Sequence, residues 1–364
     1  MMKPRLLVVE LHHLGDAVLS VPFVRGAART FEVHVLCRPA AEEIYRLCAR
    51  PVKVHAWEPP WADEARAGAL SVLKAVRSRG RALRAPQFDA AVCAWADARV
   101  SVLIAETRAS RRVGFPMTRG NYYAADAPWR RRRLVAGRLI EAAWKISHPG
   151  VPLLTHPLHR ASGAQPHLRC WEQLAEATGI SCDCTVPWFE PAPPSGTVEE
   201  FCRDAHRRGQ QVLAFHAEAR LPSKQWPHER WKELIGSPAV SDRFAVMELI
   251  PPGAAPSGTA GAFSVQTPSV AVLISALAAS DAVLCHDSLP AHLAAALGKP
   301  VVSIFGAGEP DWFAPWRNRE RVVQQRVCPL HPCIDRCGMD QYVCLERISV
   351  GDVLRKVENF PRVP

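Results

Sequence analysis

Residues 281–306 read DAVLCHDSLPAHLAAALGKPVVSIFG. The run Ala282 to Cys285 is apolar and short, as expected of a strand covered on both faces of a parallel sheet. A polar turn follows at His286-Asp287-Ser288. Pro290 suits a first helical turn, and Ala291 to Leu297 is rich in strong helix formers. Gly298 stands where a left-handed residue would end that helix, with Pro300 two positions on. Val301 to Phe305 is a second buried strand. The spacing therefore predicts a strand–turn–helix–strand unit whose turn carries the polar groups. Asp287 or Ser288 is placed to cap the helix, and the free backbone N–H groups there form a ready anion site. His292, in the first turn, is within reach of the same anion. An ordinary capped helix with a surface histidine fits the pattern equally well.

Outward from this unit the same alternation recurs. In the first half, strands are expected at Arg5–Leu11, Phe31–Cys37, Val52–Trp57, Phe88–Ala94 and Arg112–Phe115. Helices are expected between and after them, at Ala17–Ala28, Pro39–Cys48, Glu64–Leu83, Val100–Glu106, Arg133–Ile146 and His167–Gly179. The second half begins with a helix at Val198–Arg208 and a strand at Gln211–His216. A helix at Pro227–Ile235, a strand at Phe244–Leu249 and a helix at Ser269–Ala279 complete it. The segment Val186–Ser195, VPWFEPAPPS, reads as a linker. The expectation is two α/β domains, residues 1–190 and 191–364, each a parallel sheet with helices on both faces.

Composition bounds the function. The 364 residues are 48% hydrophobic and carry a net charge of +10. That balance favours an anionic partner: nucleic acid, an acidic membrane face or a phosphorylated saccharide. The arginine clusters, Arg108 with Arg111 and Arg112 and the run Arg130–Arg133, are not interleaved with aromatics as a single-strand platform would be, and no nucleic-acid partner is expected. No apolar run reaches the roughly 18 residues of a membrane span. The opening MMKPRLLVVEL reads as a first strand and not as a signal peptide. A cytoplasmic location follows as an expectation, with peripheral contact at the inner face of the inner membrane. Of the 12 cysteines, Cys328, Cys333, Cys337 and Cys344 fall in one turn-rich stretch and suit an all-thiolate zinc or iron site; reduced thiols packing a loop suit it too.

Three stretches together resemble glycosyltransferase family nine, the ADP-heptose lipopolysaccharide heptosyltransferases. DSLPAHLAAALGKP is similar to the family's donor motif. VVELHHLGDAVLSVP is similar to its opening, with Gly15, Asp16 and Pro22 in place. FHAEARLPSKQWPHERWKEL is similar to its central motif, with His216, Lys224, Trp226, Pro227 and Glu229 in place. The resemblance implies a GT-B fold, two Rossmann-like parallel-sheet domains facing across a cleft. It also implies an inverting glycosyltransferase that moves a sugar, heptose from ADP-heptose in the family, onto an anionic glycan or glycolipid acceptor in cell-envelope synthesis.

By the same match Asp16 is the general base toward the acceptor hydroxyl, a role compatible with capping the helix that follows it. Gly15, His216, Lys224, Asp287, Ser288, Leu289 and His292 form the donor side, where a lysine is a mobile point charge suited to a departing diphosphate. Tyr122, Arg130 and Arg131, beside Trp129 and Tyr123, lie where the family binds acceptor. No cofactor is needed for catalysis in this scheme; a structural zinc or iron at the four cysteines is the one metal anticipated, and similar cysteine-bearing tails occur in the family.

The chain departs from the pattern at Leu289 and at Glu218, where the family has glycines, and at Glu10, where it has arginine or lysine. A left-handed backbone at Leu289 would be strained. These departures keep two rivals in view: a transferase of the same fold using another nucleotide sugar, and a catalytically impaired relative that binds nucleotide or saccharide as a scaffold.

Overall fold

The computed structural model describes residues 3–48, 51–62, 68–123, 125, 128–161, 165–331, 333, 337, 339 and 341–362. The chain divides into two compact units, Met1–Cys184 and Thr185–Pro364. The proline-rich segment after the division packs onto the second unit: the Trp188 N–H donates to the Ala296 carbonyl at 2.7 Å, and the Ser275 hydroxyl donates to the Ala192 carbonyl at 2.9 Å.

The first unit runs β1 (Arg5–Glu10), α1 (Leu14–Thr30), β2 (Glu32–Cys37), α2 (Glu42–Arg46), β3 (Lys53–Ala56), α3 (Ala69–Ala82), β4 (Ala90–Cys93), α4 (Ala98–Glu106), β5 (Arg111–Gly114), α5 (Pro128–Ser147), β6 (His156–Pro157) and α6 (Leu168–Thr178). Its six strands pair in parallel in the order β3-β2-β1-β4-β5-β6. Sheet order reverses between β1 and β4. Loops that leave the carboxyl ends of such a strand pair diverge to opposite faces and open a ligand crevice.

The second unit runs α7 (Gly196–Arg207), β7 (Gln211–His216), α8 (His228–Ile235), α9 (Pro238–Ser241), β8 (Phe244–Ile250), β9 (Phe263–Gln266), α10 (Val270–Ala279), β10 (Ala282–His286), α11 (Leu289–Ala296), β11 (Val301–Phe305), α12 (Pro310–Phe313), β12 (Val322–Gln324), α13 (Val343–Glu346) and α14 (Val350–Glu358). Its order is β12-β11-β10-β7-β8-β9, again all parallel, with the reversal between β7 and β10.

The central strands are apolar because both faces are covered. Every residue of β8, β10 and β11 is buried. One side of the second sheet is sealed by Trp226, Trp231, Leu234 and Ile348, all at 0% exposure, around Phe215 and Leu284. Burying side chains of this size contributes about 1.5–3 kcal/mol each before conformational entropy is subtracted. The Trp226 indole N–H donates to the Ile348 carbonyl at 3.0 Å, so its one polar atom is satisfied inside the core.

The predicted strand–turn–helix–strand unit is β10, α11 and β11. Gly298 closes α11 with φ +79°, a value glycine adopts without Cβ strain. Expected and observed bounds differ in places. Helix α5 starts five residues before Arg133. The predicted helix from Glu64 is seen from Ala69, residues 63–67 lying outside the described set. Strand β9 emerges from the Gly/Pro/Ala-rich stretch as a short edge strand, where such composition is tolerated.

Candidate active site

Both sheet reversals carry polar clusters. At the carboxyl end of β1, Glu10 and Asp16 are 2% and 5% exposed. Asp16 lies in the first turn of α1, and its Oδ2 accepts the His13 backbone N–H at 3.1 Å. The capping contact expected of it is therefore present. Its carboxyl is nonetheless pushed up from 3.8 to about 7, first by burial and then by the Glu10 charge, with His13 and His12 opposing. Glu10 Oε1 accepts the His12 backbone N–H at 2.9 Å, while Oε2 is buried without a hydrogen-bond partner.

His12 is held between two carboxylates: Nδ1 lies 3.4 Å from Glu10 and Nε2 3.6 Å from Asp97. Its ring stacks on Trp95 at 4.3 Å. Burial alone would keep the imidazole neutral, but Asp97 and Glu10 outweigh it and raise His12 to about 9. At neutral pH it is a fixed cation. Asp97 caps α4 through the Arg99 N–H at 2.9 Å and pairs with the Arg99 guanidinium at 2.6 Å. These contacts join the loop after β1 to the loop after β4, across the reversal point.

An aromatic wall continues from there. Trp95 lies against His167 at 4.3 Å and Tyr123 at 5.3 Å between ring centroids; Tyr123 Oη and His167 Nδ1 are 2.6 Å apart, and Arg160 covers the Tyr123 ring at 3.4 Å. Among the acceptor candidates, Arg130 is buried, donates to the Tyr123 carbonyl at 2.7 Å and sits 5.3 Å from the Tyr122 ring. Arg131 is exposed on α5, on another face of the helix. The Trp129 side chain lies outside the described residues.

At the second reversal, the Lys224 ammonium pairs with Asp287 Oδ2 at 2.9 Å, both largely buried. Lys224 ends a short 3-10 turn, Pro222–Lys224, after β7. Asp287 follows β10. The Asp287 N–H donates to the Ile304 carbonyl at 3.0 Å, and Gly308, after β11, packs so close that a Cβ there would overlap the Asp287 carboxylate. His292 is buried beside this pair; burial lowers it to about 4, so it is a neutral imidazole, and its Nδ1 is without a hydrogen-bond partner. Ser288 occupies the N-cap of α11, yet its hydroxyl donates to the His286 carbonyl at 3.2 Å instead of capping, and Asp287 is taken by Lys224. The backbone N–H groups at the helix start are capped by neither candidate side chain.

Leu289 begins α11 as an ordinary helical residue and is absent from the positive-φ positions. The left-handed strain anticipated there does not arise, because the turn completes its reversal at Ser288 in extended backbone. His216 sits deeper. Burial lowers it to about 4, and burial likewise lowers His286, whose Nε2 accepts the Trp226 N–H at 2.9 Å. Glu218 is partly exposed and faces His228 at 3.8 Å. Gln225 pins the intervening loop, donating to the Ala217 carbonyl and accepting from the Ala219 N–H at 2.6 and 2.7 Å.

The four C-terminal cysteines line one small cavity of about 10 Å³ together with Ser223, Ala307 and His331. Cys333 is pushed up to about 11 by burial and by the neighbouring Cys337, Cys328 and Cys344. Sulfur chemistry and convergence suit a soft cation. Among the described residues, however, no three Cys, His, Asp or Glu side chains stand at metal-ligating geometry. His331 and Gln324 brace the Gly308 carbonyl at 3.2 and 2.8 Å, and Arg326 pairs with buried Glu309 at 2.6 Å. The cysteine segment thereby abuts the loop that packs on Asp287.

Sequence reading brought Lys224, Asp287 and His292 to one place, set Tyr123 beside the acceptor candidates, and left Glu10, His12, Trp95, Asp97 and His167 unassigned. Glu10 was visible as a departure from a basic position. The others carry no spacing signal, since the topology alone unites the loops after β1 and β4 with the start of α6.

Two all-parallel Rossmann-like sheets, each with a polar cluster at its reversal point, define an α/β protein of the GT-B class. Solved structures show the same fold: glycosyl transferase family 9 from Veillonella parvula (TM-score 0.65, 14% identity, 99% of this chain and 98% of that one) and E. coli heptosyltransferase WaaC with ADP (TM-score 0.64, 18% identity, 98% and 100%). Over residues 268–342 the chain matches the model of glycosyltransferase family 9 (heptosyltransferase). Among curated relatives it is similar to lipopolysaccharide heptosyltransferase 2 of Salmonella typhimurium, 28% identical over 121 residues, 28% of this chain and 33% of that protein. It is also similar to lipopolysaccharide heptosyltransferase 3 of E. coli, 29% identical over 207 residues, 51% of this chain and 58% of that one. The matches thus span about a third to just over half of these relatives' lengths.

Proposed function

We propose that the protein is an inverting glycosyltransferase that moves a sugar, heptose from ADP-heptose, onto an anionic saccharide or lipid-linked acceptor of the cell envelope. The observation that carries this reading is Asp16: a buried carboxyl raised to about 7 at the carboxyl end of β1, in a chain whose residues 268–342 match the family 9 model. A base of that strength is half ionised at neutral pH and suited to take a hydroxyl proton in the transition state. In the step, the acceptor oxygen bonds to the anomeric carbon as the bond to the diphosphate oxygen breaks. Asp16 receives the hydroxyl proton, and the electron pair leaves on the diphosphate. Lys224, the positive end of the α11 dipole and the neutral His292 meet that growing charge. Asp287 holds the lysine in place before the donor arrives. Tyr122, Arg130 and Arg131 serve the acceptor, His216 and Gly15 shape the donor side and the base loop, and Leu289 lies beside the diphosphate.

The test is ADP release from ADP-heptose with and without acceptor saccharide. Asp16→Ala is expected to abolish turnover and retain nucleotide binding, and Lys224→Ala to lower kcat by about a hundredfold. Other nucleotide sugars in the same assay identify the donor. A binding-only scaffold is the second reading, favoured by a lysine already engaged with Asp287; it predicts nucleotide binding with no turnover in the wild type. The four cysteines are proposed as a structural zinc or iron site, closing on the ion as thiolates. Elemental analysis of the purified protein tests this, and a metal-free sample with unchanged stability on chelation counts against it. The protein is placed in the cytoplasm, at the inner membrane face.

A further inference from the structure

Helix α5 carries outward-facing apolar side chains that the reaction above does not use. Val135, Leu139 and Ile146 are 58%, 65% and 83% exposed. They follow one another at i, i+4 and i+11, with exposed Ala142 at i+7, so they form a single stripe along about three turns. Apolar side chains of this size are individually ordinary on a surface; a continuous stripe on one helix is not. The opposite face already packs inward through Gly137 and buried Trp144.

Charge decides the occupant. The helix carries six basic residues and one acidic residue. Arg138 and Lys145 border the stripe on one side and Arg132 on the other, all exposed. The single carboxylate, Glu141, is half-buried and accepts the Met117 N–H at 3.4 Å, turned away from the stripe. An apolar band between cationic borders matches an anionic lipid surface, where acyl chains receive the band and headgroup phosphates the arginines. A second copy of this chain would bring the same cationic borders together, which like-charge repulsion opposes.

We infer that the α5 stripe of Val135, Leu139 and Ile146 docks the protein on an anionic bilayer, lying in the interface plane. No helix among the described residues is long and apolar enough to cross a membrane. The contact is peripheral and salt-sensitive. It stands on the helix face alone and holds whatever sugar the enzyme transfers.

The full chain is sedimented with extruded vesicles of phosphatidylglycerol and phosphatidylethanolamine, and with phosphatidylcholine vesicles for comparison. Binding is expected to be at least about tenfold stronger to the anionic vesicles and to weaken in about 0.5 M salt. The surface variant Leu139→Ser/Ile146→Ser should lose about tenfold or more of that binding, and Arg132→Glu/Arg138→Glu likewise, with thermal melting unchanged. Equal binding to both vesicle types, or undiminished binding by the serine variant, overturns the inference. So does a wild-type dimer in light scattering that the serine variant converts to monomer without vesicle binding by either form.

Discussion

Replacing Glu10 by glutamine should move the pH profile of the proposed transfer reaction without abolishing it. The carboxyl of Asp16 stands at about 7 against an ordinary 3.8. Burial is the largest cause and the Glu10 charge the next, with His13 and His12 opposing, so removing the Glu10 charge lets Asp16 ionise at lower pH. Glutamine keeps the shape and the oxygen that accepts the His12 N–H, and Asp97 still holds the imidazole from its other side. The acid limb of kcat/KM for ADP release is therefore expected near pH 7 in the wild type and at a clearly lower pH in Glu10→Gln, with the plateau changed less than about threefold. A stopped assay across pH 5–9, with Asp16→Asn as the inactive control, reads this directly. If Asp16→Asn is inactive and the limb stays within about 0.3 pH units of wild type, Glu10 does not set the base. If Asp16→Asn retains full activity, the base assignment itself fails.

Three further outcomes follow from the same geometry. A carboxyl raised in the folded state binds its extra proton between pH 3.8 and about 7, so its contribution to stability falls as pH rises through that window; Asp16→Asn should raise Tm at pH 8 and leave it nearly unchanged at pH 4. Gly308→Ala pushes a methyl into the Asp287 carboxylate and should displace the Lys224 pair, raising donor KM about tenfold with a smaller effect on kcat. Lys224→Met leaves Asp287 buried without its cation and should lower Tm by several degrees, a loss that Asp287→Asn in the same chain largely restores.

The sheets were legible because parallel strands buried on both faces need continuous apolar runs, and β10, β11 and β7 have them. The edges were not. Strand β9 has exposed residues at Ser264 and Gln266, and β6 is two residues long with both exposed, so neither carries an apolar signal. At the site, the loop after β10 could be placed because its turn, proline and helix adjoin in sequence. Lys224 was tied to it through the family's motif order. The acid tuning at Asp16 could not be read. It depends on Glu10 facing inward and on His12 reaching Asp97, about 85 residues away in sequence, which only the β1–β4 pairing brings together. The concern over Leu289 came from treating a motif position as a backbone conformation, and the helix simply starts there.

Between the lysine turn and the cysteine tail runs a seam made of small residues. Ser223 and Ala307 face the cysteine cavity, the Ala307 N–H donates to the Ser223 carbonyl at 3.2 Å, and a side chain on Gly306 would collide with that carbonyl and with Leu345. Side-chain bulk at 306, 307 or 308 would act as a wedge, prising the tail from the turn that presents Lys224. Variation in the tail and variation in the lysine turn are thus mechanically yoked. Grafting either one from a relative will succeed only when the other, and the tiny residues of this seam, travel with it.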